Sequence, residues 1–165
     1  MAGAFNAASQ DLSATIISMQ AASFDEGLER ILKKETRYHK DAYSFVLEAL
    51  NFTSRVLGRE SKSHRIKDEQ RHVAPDELLN GARDYALQTY GPMALMLFEE
   101  WGIHSCRDFG EIVFILVDNK VFRKTEQDSR EAFENGYDFE QTFREPYLPE
   151  FKKARGVPEP RTTSV

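Results

Sequence analysis

The spacing of apolar and polar positions predicts a mainly helical chain. The clearest pattern lies in residues 38–57, where apolar side chains recur every three or four positions and charged side chains fall between them. This spacing places the apolar groups on one face of an α-helix. Gly58 should end that helix, because glycine readily adopts the left-handed conformation found just beyond a helix C-terminus. The capping-box sequence of residues 23–26, followed by a shorter apolar run, predicts an earlier helix.

The densest apolar sequence lies in residues 91–125 and predicts the centre of the fold. The helix before it should begin near Pro75, since proline suits the first turn, where its missing N–H has no partner to lose. Residues 92–101 then predict a short helix in which almost every side chain is apolar, so we expect it to be central to the core. Gly102 should end this helix.

A further helix follows a tight turn, and its apolar residues cover one broad face. Residues 105–108, or Asp108 alone, can cap its N-terminus by accepting a hydrogen bond from an unpaired backbone amide. Beyond this helix, residues 121–124 predict a short extended arm or β hairpin. Phe139 and Phe143 predict one more helical turn that packs its aromatic rings back onto the core.

These elements predict a compact single-domain fold of five to seven helices in residues 23–148. Residues 1–22 are rich in Ala, Ser, Asn and Gln and poor in apolar groups, so we expect a disordered N-terminal extension. Residues 149–165 are polar and contain several prolines, so we expect a disordered tail. Met19 is a candidate alternative translation start, and on this hypothesis the residues before it are dispensable.

The stretch from Pro75 to Thr125 resembles a winged helix-turn-helix in its layout. It has a short helix, a tight turn, a hydrophobic second helix and the exit sequence LVDNKVFRKT. The resemblance implies a strand leading into a wing. A DNA-reading helix needs Arg, Lys, Asn or Gln that reach base edges and phosphates, whereas this one carries Asp108, Glu111 and Asp118. We therefore expect a module of this kind to bind protein.

On a wider scale, the chain resembles an uncharacterised family of bacterial proteins. The phrases that carry this resemblance are YHKDAYSFVLEAL, HVAPDELLNGARDYALQTYGPMA, EEWGIHSCRDFGEIVFILVD and KTEQDSREAFENGYDFEQTF. They cover residues 24–143, and the resemblance implies one domain in a bacterial cytoplasm. It implies no activity, no cofactor and no site residues. The sequence before Phe24 departs from the family pattern, which favours the later start.

Composition narrows the class of protein. The 165 residues are 41% hydrophobic and 30% charged, a mixture typical of soluble globular proteins. No apolar run approaches the ~20 residues of a membrane helix. Cys106 is the only cysteine and suits a reducing cytoplasm. The formal net charge of −5 argues against phosphate binding as the main activity, since that requires surplus Lys and Arg.

The residues that could bind a metal, act as a nucleophile or bind phosphate show no recognised sequence motif. Glu100, His104 and Cys106 could approach one another at the turn, but their spacing marks no metal site. Cys106 would be a nucleophile only if a base such as His104 lay within hydrogen-bond reach; the alternative is an inert small residue. The glycines match no phosphate-binding pattern. We therefore predict no catalytic, cofactor-binding or metal-binding residues.

Three groups of residues are candidates for binding a partner. The basic segment 59–71 could contact nucleic acid or an acidic partner, or serve as a plain linker. The acidic pair beside Trp101 could receive a basic partner, and so could the acidic and aromatic segment 126–145; each could equally be a solvated face. The candidates are Arg59, Lys62, Arg65, Lys67, Arg71, Glu99, Glu100 and Tyr137.

These observations favour a non-catalytic protein-interaction or regulatory module in the cytoplasm, with an unknown protein as its partner and no cofactor. The first alternative is a nucleic-acid-associated winged-helix protein that uses segment 59–71. The second is an enzyme of unrecognised type. Salt-dependent retention on DNA would separate the first alternative from the favoured function, because phosphate binding weakens steeply with salt.

Overall fold

The computed structural model describes residues 24–58, 73–123 and 128–149, and within these ranges the chain is mainly helical and contains no strand. The α-helices are α1 (24–32), α2 (Lys40–Val56), α3 (Pro75–Tyr90), α4 (Ala94–Trp101) and α5 (Cys106–Asp118). Shorter helical turns occupy Gly91–Met93, Glu131–Phe133, Glu140–Arg144 and Glu145–Tyr147. None of the helices in the described ranges has the length and apolar character needed to cross a bilayer.

Helices α2 and α3 pack side by side in opposite directions. Phe45 near the start of α2 lies 6.2 Å, between ring centroids, from Tyr90 at the end of α3. At the opposite end of the pair, a Cβ added to Gly81 would overlap the side chain of Thr53. Thr53 is buried and donates its hydroxyl hydrogen to the carbonyl of Ala49 at 2.7 Å. The absence of a side chain at Gly81 therefore allows the two backbones to approach closely.

The predicted ends of these helices are confirmed. Gly58 has φ +66°, the left-handed conformation expected just after α2. Pro75 is the first residue of α3. One turn into α3, the carboxylate of Glu77 accepts a hydrogen bond from the backbone N–H of Ala74 at 2.9 Å. This contact satisfies an amide that precedes the helix.

The centre of the core is an aromatic cluster around Phe98 of α4, which is fully buried. Its ring centroid lies 5.0 Å from that of Phe45 and 5.5 Å from that of Phe109. Phe139 and Phe143, from the C-terminal part of the described chain, lie at 5.7 and 5.2 Å. Several of these pairs meet edge to face, the arrangement that aromatic quadrupoles prefer. The prediction that Phe139 and Phe143 pack onto the core is confirmed.

Helix α5 begins at a cap that also contacts α2. The carboxylate of Asp108 accepts hydrogen bonds from the backbone amides of His104 at 2.9 Å and Ser105 at 3.0 Å. The hydroxyl of Tyr38, just before α2, donates to the same carboxylate at 2.8 Å. Asp108 therefore accepts two backbone amides just before the helix, which confirms its predicted part in the cap, and it connects two distant parts of the chain.

The predicted arm after α5 differs from the structure. Lys120 has φ +61°, and the amides of Val121 and Phe122 both donate to the carbonyl of Leu116, at 2.8 and 3.1 Å. Val121 also packs against Gly27 of α1. Because these two amides cap the end of α5, they cannot pair with a neighbouring strand. Residues 121–123 accordingly form a bend against α1 and no hairpin.

Several sequence predictions fall outside the described residues. They are the extension 1–22 with Met19, the cap at Ser23, the basic segment 59–71, the end of the predicted arm at Lys124, and almost all of the tail 149–165. The described ranges contribute to one buried core that runs from Phe24 to Phe143. The stretch 91–125, predicted as the centre of the fold, supplies Phe98, Phe109 and Leu116 to this core.

Candidate functional site

An open cleft of about 530 Å³ lies at the C-terminal end of α4. One wall is the end of α4, and the other runs from the last residue of α1 through the connection to the first residue of α2. The cleft is lined by Leu32, Glu35, Thr36, Arg37, Tyr38, His39, Lys40, Glu99, Glu100, Trp101 and Gly102. Glu99 and Glu100, the acidic pair identified in the sequence, thus lie on a concave surface that also contains other polar residues and apolar residues.

The two walls of the cleft are fixed by backbone contacts. The N–H of His39 donates to the carbonyl of Trp101 at 3.0 Å. Gly102 has φ +83°, and a Cβ there would lie 2.6 Å from the carbonyl oxygen of Arg37. Only glycine combines this left-handed conformation with so close a backbone neighbour. The helix end predicted at Gly102 therefore also determines how the connection passes over α4.

The two walls of the cleft differ in how their charged side chains are paired. The guanidinium of Arg37 lies 2.9 Å from the carboxylate of Glu35 and 3.9 Å from that of Glu111. These carboxylates raise the pKa of Arg37, and the hydrogen bond to Glu35 is the largest cause. Glu99 and Glu100 are exposed and form no ion pair with any residue of the described ranges. The α4 wall of the cleft is therefore the acidic one.

An exposed apolar strip leads along α4 to this wall. Met93 directly precedes α4 and is 50% exposed, and Met96 within α4 is 53% exposed. Positions 93, 96 and 100 share one side of the helix, because side chains three or four residues apart are neighbours on a helix surface. We call Met93, Met96, Glu99 and Glu100 the α4 surface. Tyr147, also exposed, has its hydroxyl beside Gly91, at the start of the helical turn that leads into Met93.

This exposure refines the sequence prediction, which made α4 almost entirely apolar and central to the core. The helix buries Ala94, Leu95, Phe98 and Trp101 on its other side. With apolar residues at nearly every position, the sequence did not distinguish the inner side of α4 from the outer side. The acidic pair Glu99 and Glu100 could have indicated which side of α4 is exposed. Met96 lies three and four residues before them, and therefore on the same side of the helix.

Tyr137 lies elsewhere on the molecule and is held in place by its neighbours. Its hydroxyl donates to the carbonyl of Leu79 at 3.0 Å, and its ring stacks on Phe139 with centroids 6.0 Å apart. Burial raises its pKa well above the ordinary value of a tyrosine. These contacts account for Tyr137 structurally, and its proposed role as a binding anchor stays a prediction.

Cys106 and His104 do not form a reactive pair in the structure. The thiol of Cys106 is buried, donates to the carbonyl of Tyr137 at 3.5 Å and accepts from its N–H at 3.4 Å. His104, in contrast, is exposed. Burial raises the pKa of Cys106, and this effect exceeds the lowering by the hydrogen bonds to Tyr137. The described ranges hold no group of three or more His, Cys, Asp or Glu side chains suited to a metal ion.

The remaining candidates, Arg59, Lys62, Arg65, Lys67 and Arg71, lie outside the described residues. Of the sequence-predicted candidates, the structure brings Glu99 and Glu100 together on the α4 surface and places Tyr137 apart from them. Comparisons of the chain with protein-family models, with curated protein sequences and with solved structures give no match.

Proposed function

We propose that this chain is a non-catalytic protein-interaction module of the cytoplasm, and that its partner binds the α4 surface. The observation that carries the proposal is the exposure of Met96 on α4, the helix that supplies the centre of the core, and of Met93 directly before it. Methionine is unbranched and polarisable, so it adapts to varied partner surfaces and is frequent where proteins bind one another. Adjacent polar groups supply orientation, as at the rim of an interface.

The α4 surface is also pre-organised for binding, because α4 is held rigidly against the core. The buried side of α4 is anchored by Phe98 and Trp101, and its C-terminal end is anchored by the hydrogen bond from His39. A rigid surface loses little conformational freedom on association, so more of the contact free energy appears as affinity. The same anchoring means that changes to Met93 and Met96 should not disturb the core.

Other functions have less support in the described part of the chain. The thiol of Cys106 is engaged by Tyr137 and shielded from solvent, which opposes nucleophilic catalysis. A nucleic-acid interface needs cationic side chains facing phosphates, whereas the α4 surface carries two carboxylates. The cytoplasmic location is supported only by the single cysteine, which remains a free thiol.

Site-specific photo-crosslinking in the source cell tests this function. The photoreactive residue p-benzoylphenylalanine replaces Met96 in one variant of the full chain and Val56 in a control variant. Val56 suits the control because it is an apolar residue that is 68% exposed, at the end of α2. We expect a discrete crosslinked protein from position 96 and none from position 56. No crosslink from position 96, or the same products from both positions, would contradict the proposal.

A further inference from the structure

We infer that the partner presents a basic amphipathic helix to the α4 surface. An apolar side chain of that helix packs on Met93 and Met96, and a Lys or Arg one to two turns away reaches the acidic wall of the cleft. This inference rests on the proposed function and specifies the chemical character of the partner that the α4 surface would recognise. It follows from the charge, the spacing and the shape of the α4 surface.

Charge is the first reason. Glu99 and Glu100 form no ion pair with any described residue, while Arg37 across the cleft already contacts Glu35 and Glu111. The C-terminal end of α4 adds the partial negative charge of helix carbonyls, which favours a nearby cation. Lys40 lines the opposite wall, so an incoming cation fits at the Glu99–Glu100 wall. The net charge of −5 also attracts basic partners over longer distances.

Spacing is the second reason. Met96 precedes Glu100 by four residues and Met93 precedes it by seven, so along the helix axis they lie about 6 and about 10 Å away. A partner helix lying along α4 presents side chains at these same separations when an apolar residue and a cation are four or seven positions apart. Helices that dock in grooves commonly use anchors at this spacing.

The same features disfavour a second copy of this chain as the occupant. If two α4 helices met in parallel, Glu99 and Glu100 would face the same carboxylates of the other copy, which costs affinity. If they met antiparallel, Glu100 would face Met93 and lose water without gaining a partner. A two-fold interface must be complementary to itself, and the α4 surface is not.

Two synthetic peptides and the full chain test this partner class. One is a helical peptide of alanine, leucine and lysine, with leucine and lysine four residues apart on one face; the other has glutamate in place of lysine. Trp101 is the only tryptophan and lines the cleft, so its fluorescence reports binding. We expect saturable, salt-sensitive binding of the lysine peptide and none of the glutamate peptide.

Matched variants separate local from general charge effects. Glu99→Gln/Glu100→Gln should weaken binding of the lysine peptide about tenfold, the order expected for two exposed ion pairs. Glu26→Gln/Glu48→Gln removes the same charge from exposed positions outside α4 and should leave affinity unchanged. Met93→Ser/Met96→Ser should remove binding while the circular dichroism spectrum stays that of the unaltered chain.

The results distinguish failure of the partner class from failure of the proposed function. Equal binding of both peptides would overturn the inference that the partner helix is basic. So would an equal loss of affinity for the lysine peptide in both glutamine double variants. Concentration-dependent dimers that Met93→Ser/Met96→Ser dissolves would assign the surface to a second copy and overturn it as well. A position-96 crosslink without lysine-peptide binding would overturn the partner class alone. Absence of the crosslink together with absence of lysine-peptide binding would overturn the partner class and the proposed function.

Discussion

The hydroxyl of Tyr38 donates a 2.8 Å hydrogen bond to Asp108, a residue 70 positions further along the chain. The same carboxylate accepts the amides of His104 and Ser105. One side chain thus caps α5 and fixes the start of α2 against it. The strength of this connection can be measured with a substitution that removes only the hydroxyl.

Tyr38→Phe should lower the free energy of unfolding by about 1 kcal/mol, the typical net value of one hydrogen bond in a folded protein. The ring remains to fill the space, and Asp108 keeps its backbone donors. Urea unfolding followed by circular dichroism measures the change. Tyr147→Phe is the control, because Tyr147 is 45% exposed and should change stability by less than about 0.5 kcal/mol. Equal losses in the two variants would contradict the role of the Tyr38–Asp108 bond.

Tyr43→Phe should have the opposite effect. Tyr43 is fully buried, and its hydroxyl has no hydrogen-bond partner among the described residues. Burying an unpaired hydroxyl costs free energy, so its removal should raise the free energy of unfolding by about 1 kcal/mol. The same urea titration measures this. A loss of stability as large as that of Tyr38→Phe would show that the hydroxyl is paired in solution.

Gly81→Ala should destabilise the α2–α3 pair. The added Cβ would overlap Thr53, and overpacking of this kind costs about 1–3 kcal/mol, more than alanine gains from its helix propensity. Thr53→Ala/Gly81→Ala should recover part of the loss, because it removes the hydroxyl oxygen that overlaps most, while the Cβ of residue 53 stays 2.8 Å from the added Cβ. A double-mutant cycle from urea unfolding measures the coupling. Strictly additive effects would mean that the two residues do not meet.

Cys106 should react slowly with iodoacetamide in the native protein. The reactive species is the thiolate, and burial both raises the pKa of Cys106 and restricts access to its sulfur. Labelling followed by mass spectrometry should be much slower than that of an unstructured peptide containing the same cysteine, and the two rates should converge in urea. A native rate equal to that of the peptide would indicate an open, activated thiol.

Stability should decline at alkaline pH. Burial raises the pKa of Tyr43 to about 12 and raises those of Tyr38, Tyr90 and Tyr137 above their ordinary value. An unfolded tyrosine ionises near pH 10, so the unfolded state releases protons first. The stabilisation is therefore complete below about pH 10 and decreases as the pH rises through the folded-state pKa values. Thermal unfolding from pH 8 to pH 11 should show a flat region and then a fall.

The helices could be predicted because local chemistry sets their ends. Pro75, Gly58 and Gly102 act through their own backbone conformations, and Asp108 acts through amides only a few residues away. Each of these signals is contained within one helical turn of sequence. The periodic spacing of apolar residues in α2 similarly depends only on helix geometry.

Features that depend on tertiary packing could not be predicted in the same way. The outer side of α4 is set by the rings that pack on Phe98, and these come from α2, α5 and the segment near Phe143. The bend at Val121 depends on contact with Gly27, nearly a hundred residues earlier. For the candidate site, sequence identified the acidic pair as exposed, but its combination with Met96 became visible only once the buried side of α4 was known.

The contact of Phe98 with Phe143 has a consequence for biosynthesis. Ribosomes deliver the chain from its N-terminus, so α1 to α5 emerge while the rings that complete the aromatic cluster are still being added or lie inside the exit tunnel. Until Phe143 emerges, Phe98 keeps a water-exposed apolar side that chaperones and proteases can recognise. A nascent chain stalled before this position should therefore be a substrate for quality control, whereas one released beyond it can close its core.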